Sequence, residues 1–214
     1  MIIGVVPARS GSQRVPNKAL SPMNGYPLLY YTLSKALKSN LKKIIITTDY
    51  HRSEIESIGL GGLKLEYIRR PALMCTDEAP AASYLQHIID LKDLHAGDVI
   101  CLLQPTCPIR EVQDINFALA KFKSSGKQSL VSVYKLDFLS KLYDSQGVNL
   151  KMEKESYMYY RNSSIYIFDV GLFIETGSIF EPEPEIFEME KYKSVDIDFP
   201  EDFKHAEFIL KGGF

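Results

Sequence analysis

The 214-residue chain is 45% apolar, 24% charged and 11% aromatic, the balance of a globular protein whose length fits one domain. Its 25 basic and 27 acidic side chains leave a formal net charge of −2. That excludes the broad positive field of a nucleic-acid binder, so an anionic ligand has to be met by a few placed groups. Cys75, Cys101 and Cys107 show neither a CxxC pair nor a metal-finger spacing, and they read as reduced, largely buried thiols of a cytoplasmic protein. The opening MIIGVVPARSGS holds an apolar run too short for a signal peptide or a membrane span. No membrane partner is expected.

Residues 2–8 (IIGVVPA) are apolar and β-branched, the pattern of a strand buried on both faces. Leu29, Leu33 and Leu37, with Lys35 and Lys38 off their stripe, predict an amphipathic helix over 26–38. A second strand is expected at Lys43–Asp49, a helical piece at Ser53–Ile58, a break at Gly59–Gly62 and a third strand at Lys64–Ile68. A helix over 79–94 turns Tyr84, Leu85, Ile88 and Ile89 inward. Asp98–Gln104 is the fourth strand, stopped by Pro105 and Pro108; a helix over 111–122 and a fifth strand at Ser129–Val133 follow. Residues 135–160 are polar and Tyr-rich without a helical period, which suggests an arm packing on a partner subunit. Ser163–Val170 and Ser194–Asp198 read as strands, and Glu181–Glu190 as a solvated loop. Pro200–Leu210 reads as a closing helix with Pro200 in its first turn. Strands alternating with helices imply one α/β domain over 1–214, a doubly wound, mostly parallel sheet with helices on both faces.

Such sheets bind ligands at the carboxyl ends of their strands. The loop PARSGSQRVPNK (7–18) carries Arg9, Arg14 and Lys18 among small residues, the parts needed to cradle a triphosphate. GxxxxGK[ST] and GxGxxG are both absent, and a solvated loop with ordinary surface cations fits the composition equally. Gln104 stands where the fourth strand meets the crevice and can both donate to and accept from a ligand; it could also simply end the strand. In SVDIDFPED (194–202), Asp196 and Asp198 stand two apart, so on an extended segment they face the same way. Mg²⁺ shared with substrate phosphates would relieve their repulsion; the alternative has Asp198 capping the last helix and Asp196 exposed. His51, His87, His95 and His205 show no metal-ligand spacing, and Tyr157, Tyr159 and Tyr160 suit the arm or a subunit contact.

Five stretches in order, PARSGSQRVPNK (7–18), RRPALMCTDEAP (69–80), LLQPTCPIR (102–110), YRNSSIYIF (160–168) and SVDIDFPEDFKHAE (194–207), resemble the CMP-sialic acid synthetase (acylneuraminate cytidylyltransferase) family. Legionaminic and pseudaminic acid cytidylyltransferases are included, and the resemblance runs over nearly the whole chain. It implies a nucleotide-diphospho-sugar transferase-like fold with a small dimerisation arm, and a homodimer. The implied activity is transfer of CMP from CTP to the anomeric hydroxyl of a nonulosonic acid, releasing pyrophosphate. Position by position, it implies Arg9 and Lys18 as catalytic cations on the CTP phosphates, helped by Ser10, Ser12 and Arg14. Arg70, Asp77 and Ala79 would surround the cytidine, Gln104, Asn162 and Tyr166 would contact the sugar, and Asp196 and Asp198 would hold Mg²⁺ or Mn²⁺. Gln13 and Ala19 stand where the family commonly has Lys and Asn, Cys107 where Ser is usual, and the arm is short. These departures keep two alternatives in view: another acidic sugar, or a non-catalytic nucleotide-binding homologue. LLQPTCPIR favours nine-carbon over eight-carbon acids.

Overall fold

The computed structural model describes residues 1–76, 78–136, 145–146 and 158–213. Asp77 and most of the expected arm at 135–160 lie outside these described residues. In chain order the elements are β1 (Ile2–Ala8), β2 (Pro22–Met23), β3 (Tyr26–Pro27), α1 (Leu28–Lys38), β4 (Lys43–Thr48), α2 (Arg52–Glu56), β5 (Leu65–Arg69), α3 (Ala81–Lys92), β6 (Val99–Leu103), α4 (Val112–Ser125), β7 (Ser129–Lys135), β8 (Tyr159–Asp169), α5 (Val170–Thr176), β9 (Glu185–Glu188) and α6 (Pro200–Leu210). Among the described residues the main sheet runs β5-β4-β1-β6-β8-β7-β9. β5, β4, β1 and β6 are mutually parallel. β8 opposes both β6 and β7, and β9 runs parallel to β7. Only β8 is reversed, as a mostly parallel sheet requires.

The continuous apolar runs give each central strand two buried faces. Val6, Ile44, Ile46, Cys101, Leu103, Ile165 and Ile167 pack under α1, α2 and α4. Their alternate neighbours Val5, Ile45, Ile100, Leu102, Tyr166 and Phe168 pack under α3 and α5. A third cluster, Met23, Leu28, Ile109, Ile197, Ala206 and Ile209, seats α6 beside the sheet. No helix among the described residues is long and apolar enough to cross a membrane.

Three expectations need correction. The helix expected from residue 26 starts at Leu28, because Tyr26–Pro27 pairs with Pro22–Met23. Asn24 and Gly25 both take positive φ, as a two-residue hairpin turn demands. Glu181–Glu190 is not all loop: Glu185–Glu188 extends the sheet edge on β7, where a strand without an apolar run suffices because one side is open to water. Ser194–Asp198 is not a strand. A 3-10 helical turn, Lys191–Ser194, leads into an unladdered segment held by one backbone bond, Ile197 N to Thr106 O at 2.8 Å.

β8 also carries a bulge, since its register against β7 shifts between Val131 and Val133. Ser163, at φ 59°, takes the left-handed conformation there. The bulge leaves backbone N–H groups without ladder partners, and side chains accept from them. Ser164 N donates to Asn162 Oδ1 at 3.2 Å and Ile165 N to Ser132 Oγ at 2.7 Å, while Ser132 Oγ donates to Asn162 Oδ1 at 2.6 Å.

Gly4 lies in the middle of β1, where a Cβ would stand 2.8 Å from Leu41 Cδ1 and 3.3 Å from Ile44 Cγ1. Both neighbours are buried and cannot swing aside. Gly4→Ala is expected to cost about 1–3 kcal/mol through overpacking, read as a lower urea midpoint at unchanged slope.

Candidate active site

The register of the parallel strands sets Ala8, Thr48, Arg69 and Leu103 at one edge of the sheet. The next residue of each strand is then a polar one: Arg9, Asp49, Arg70 and Gln104. Between β1 and β6 the chain order reverses direction across the sheet, which opens a crevice at the strand ends. A cleft of about 270 Å³ lies there, between Ala8, Arg9, Ser12, Lys18 and Ala19 on one wall and Gln104, Pro105 and Thr106 on another. Arg70, Met74, Thr76, Ala79 and Tyr84 close its third side. The size is near the lower end for small-molecule sites.

The loop after β1 is shaped by its own polar residues. Asp49 accepts from Ser10 N at 2.9 Å and Ser10 Oγ at 2.6 Å, pinning the loop over β4. Arg9 Nη1 donates to Cys75 O at 3.3 Å. Asn17 sits at φ 53°, a conformation Asn tolerates better than most residues. It starts the short 3-10 turn Lys18–Leu20, and Lys18 Nζ then donates to Ile197 O at 2.7 Å and meets Asp198 Oδ1 at 3.3 Å. Arg14 reaches Asp198 Oδ2 at 3.2 Å and lies 4.9 Å over the Phe199 ring. A cation loop near the N-terminus and an acidic segment near the C-terminus thus meet at the cleft.

On the third side, Arg70 is buried, donates to Thr47 O at 3.0 Å and lies 4.3 Å over the Tyr84 ring. Tyr84 and Gln104 line the cleft together, and burial pushes the Tyr84 phenol up to about 12. It therefore stays neutral at physiological pH.

The acidic segment is anchored from behind. Lys193, 8% exposed, pairs with Asp114, Glu111 and Glu190 at 3.2, 3.2 and 3.3 Å, tying the turn before Asp196 to the start of α4. Asn162 Nδ2 donates to Ser194 Oγ at 2.9 Å. Ile197 is buried in the third cluster, which leaves Asp196 and Asp198 flanking it.

Of the residues expected from the sequence, Arg9, Ser12, Lys18, Arg70, Ala79 and Gln104 line the cleft. Ser10 and Arg14 adjoin it, committed to Asp49 and Asp198. Asp198 stands at the Lys18 side. Asp196 instead lines a neighbouring groove with Tyr134 and Tyr192. Asn162 and Tyr166 are not brought to the cleft: both are buried on β8, Asn162 in the bulge and Tyr166 edge-on to Phe180 at 5.2 Å. Sequence reasoning passed over Asp49, Thr76, Tyr84 and Arg110. Asp49 had the signal of ending a parallel strand; for Tyr84 the helical period showed only that it turns inward.

Fold and cleft together are those of an α/β nucleotidyltransferase. The profile of the Cytidylyltransferase family matches residues 3–211, and the chain belongs to that family. It is similar to a CMP-N,N'-diacetyllegionaminic acid synthase of Legionella pneumophila, 32% identical over 98% of this chain and 96% of that protein. It is also similar to an N-acylneuraminate cytidylyltransferase of Escherichia coli, 30% identical over 96% of this chain and 51% of that one. In fold it resembles the solved structure of a CMP:2-keto-3-deoxy-manno-octonic acid synthetase complexed with CTP, with a TM-score of 0.71, 15% identity, and 99% of this chain and 98% of that chain covered.

All three thiols are free and buried. Burial pushes Cys101 up to about 12, and burial followed by the Asp196 carboxylate pushes Cys107 further up. Cys75 is raised by burial and then by Asp49. Thiolate, the reactive form, is therefore scarce at pH 8. The native protein is expected to give no rapid reaction with Ellman's reagent at that pH and to titrate fully in denaturant. A fast native thiol would contradict the packing around the Gln104 loop.

Proposed function

We infer that the chain is a CMP-nonulosonate cytidylyltransferase. The anomeric hydroxyl of a nonulosonic acid attacks the α-phosphorus of CTP, the bond to the β-phosphate oxygen breaks, and pyrophosphate leaves. The observation that carries this is the meeting of Arg9, Ser12 and Lys18 with Gln104 across one cleft, with Lys18 also bonded to the Ile197–Asp198 segment. Arg9 and Lys18 are suited to hold the triphosphate and offset the charge that gathers on its oxygens in the transition state. Arg70, Tyr84 and Ala79 form the wall assigned to the cytidine, and Gln104 the contact assigned to the sugar acid. Aligning two bound reactants removes most of the entropic barrier of the bimolecular step, and no covalent enzyme intermediate is needed.

The half-exposed Asp198 carboxylate, on Lys18 and Arg14, offers hard oxygen donors beside the assigned phosphate position, while Asp196 lies in the adjoining groove. One or two carboxylates plus substrate phosphates are what Mg²⁺ takes, so these residues fit Mg²⁺ or Mn²⁺. The ion would neutralise charge on the phosphate oxygens. The exposed row Met158, Tyr159 and Tyr160, at the root of the expected arm, is the surface assigned to a second copy of the chain. Equilibrium sedimentation is expected to give a dimer, weakened by Tyr160→Asp.

Mass spectrometry of reactions with CTP, Mg²⁺ and a panel of sugar acids is expected to identify a CMP-nonulosonate; turnover of eight-carbon acids alone would sink the substrate class. Arg9→Ala is expected to raise KM for CTP by about tenfold to a hundredfold, the loss of one charge-assisted bond of about 1.5–3 kcal/mol. Asp198→Asn should keep the fold and lose at least about a hundredfold in turnover through its assigned role as a metal ligand. An active Asp198→Asn enzyme would remove Asp198 from the metal site.

A further inference from the structure

Arg110 closes the stretch LLQPTCPIR, yet none of the roles above uses it. It is 1% exposed, and every acceptor its guanidinium reaches is neutral. Nη2 donates to Thr32 Oγ1 at 2.9 Å and Gln104 O at 3.4 Å; Nη1 donates to Ser164 Oγ at 3.3 Å and, closely, to Ser164 O. Its Nε–H is buried without a partner. The nearby acid, Asp114, is taken up by Lys193. Burying a cation on neutral acceptors is costly, and an apolar side chain of similar volume would pack at least as well. Packing therefore does not account for the guanidinium, and what it holds does.

It holds the back of Gln104. The Gln104 carbonyl receives two side-chain donors, Arg110 Nη2 and Thr32 Oγ1, each at 3.4 Å, beside the turn bond from Cys107 N at 3.4 Å. Gln104 lines the cleft, as does Tyr84. The same guanidinium fastens the β8 bulge through Ser164, so Gln104 is tied to both α1 and β8. We propose that Arg110 is the positioning residue of the sugar-acid subsite, holding Gln104 by its backbone so that its amide meets the acceptor substrate at one angle. This rests on Gln104 contacting the sugar acid.

The test compares wild type, Arg110→Met, Thr32→Val, Gln104→Ala and the double variant Arg110→Met/Gln104→Ala. Arg110→Met is expected to keep a urea midpoint at or above wild type and an unchanged KM for CTP. Its kcat/KM for the sugar acid should fall by about tenfold to a hundredfold, the usual effect of a misplaced contact. Thr32→Val, which removes one of the two side-chain donors to the Gln104 carbonyl, should lose several-fold in the same parameter alone, and it decides the matter should Arg110→Met not fold. In the Gln104→Ala background Arg110→Met should add nothing, the non-additivity of residues acting through one contact. Wild-type sugar-acid kcat/KM in a folded variant, or a parallel rise in KM for CTP, would overturn the proposal. Absence of sugar-acid turnover by the wild-type enzyme would instead overturn the activity on which it rests.

Discussion

Ile197 has every group committed. Its amide donates to Thr106 O at 2.8 Å, its carbonyl accepts Lys18 Nζ at 2.7 Å, and its side chain is buried with Met23, Leu28, Ile109, Ala206 and Ile209. One residue thereby joins the cation loop, the Gln104 loop and the seat of α6, parts of the chain up to 179 positions apart. Burying an isoleucine contributes about 1.5–3 kcal/mol, and closing a longer loop costs only slightly more than closing a short one. That is enough to place the acidic segment without a β-ladder. The two carboxylates then take their positions as neighbours of a buried side chain.

The charges around the cleft fall into two groups with different consequences. Arg14 and Asp198 meet where their side chains are 58% and 50% exposed, and such a pair contributes at most about 1 kcal/mol. They hold the loop in place yet can be exchanged for phosphate oxygens at little cost. Lys193 and Asp114 lie almost wholly out of water, where removing one partner of such a pair costs roughly 3–5 kcal/mol. The second group keeps the frame rigid, while the first can rearrange. On the proposed function, a chain of net charge −2 would meet a polyanion through this local division.

Behind the cleft wall, the bulge of β8 shows how a buried polar network can occupy residues that a sequence comparison would assign to ligand. Asn162 spends its side-chain oxygen on Ser132 and Ser164 and its nitrogen on Ser194. Its structural effect is to join the bulge to the turn before Asp196. Tyr166 points to the α3 and α5 side of the sheet, because alternation along β8 gives the opposite face to Ile165 and Ile167. A one-residue difference in register would have exchanged the two sets.

The sequence alone determined the α/β class, the central strands and the cation loop. Buried parallel strands need unbroken β-branched runs, and their ends must be polar where a ligand is met, so both leave marks in local composition. The chain carried the Asn24-Gly25 turn signal as well, although strands of two residues show no period. Only the tertiary structure decided which candidates share the cleft, that β8 runs backwards between parallel neighbours, that Glu185–Glu188 forms an edge strand, and that Ser194–Asp198 does not. Those outcomes depend on contacts between residues far apart in the chain, such as Lys18 with Ile197 and Arg110 with Ser164, whose energies have no counterpart in local periodicity.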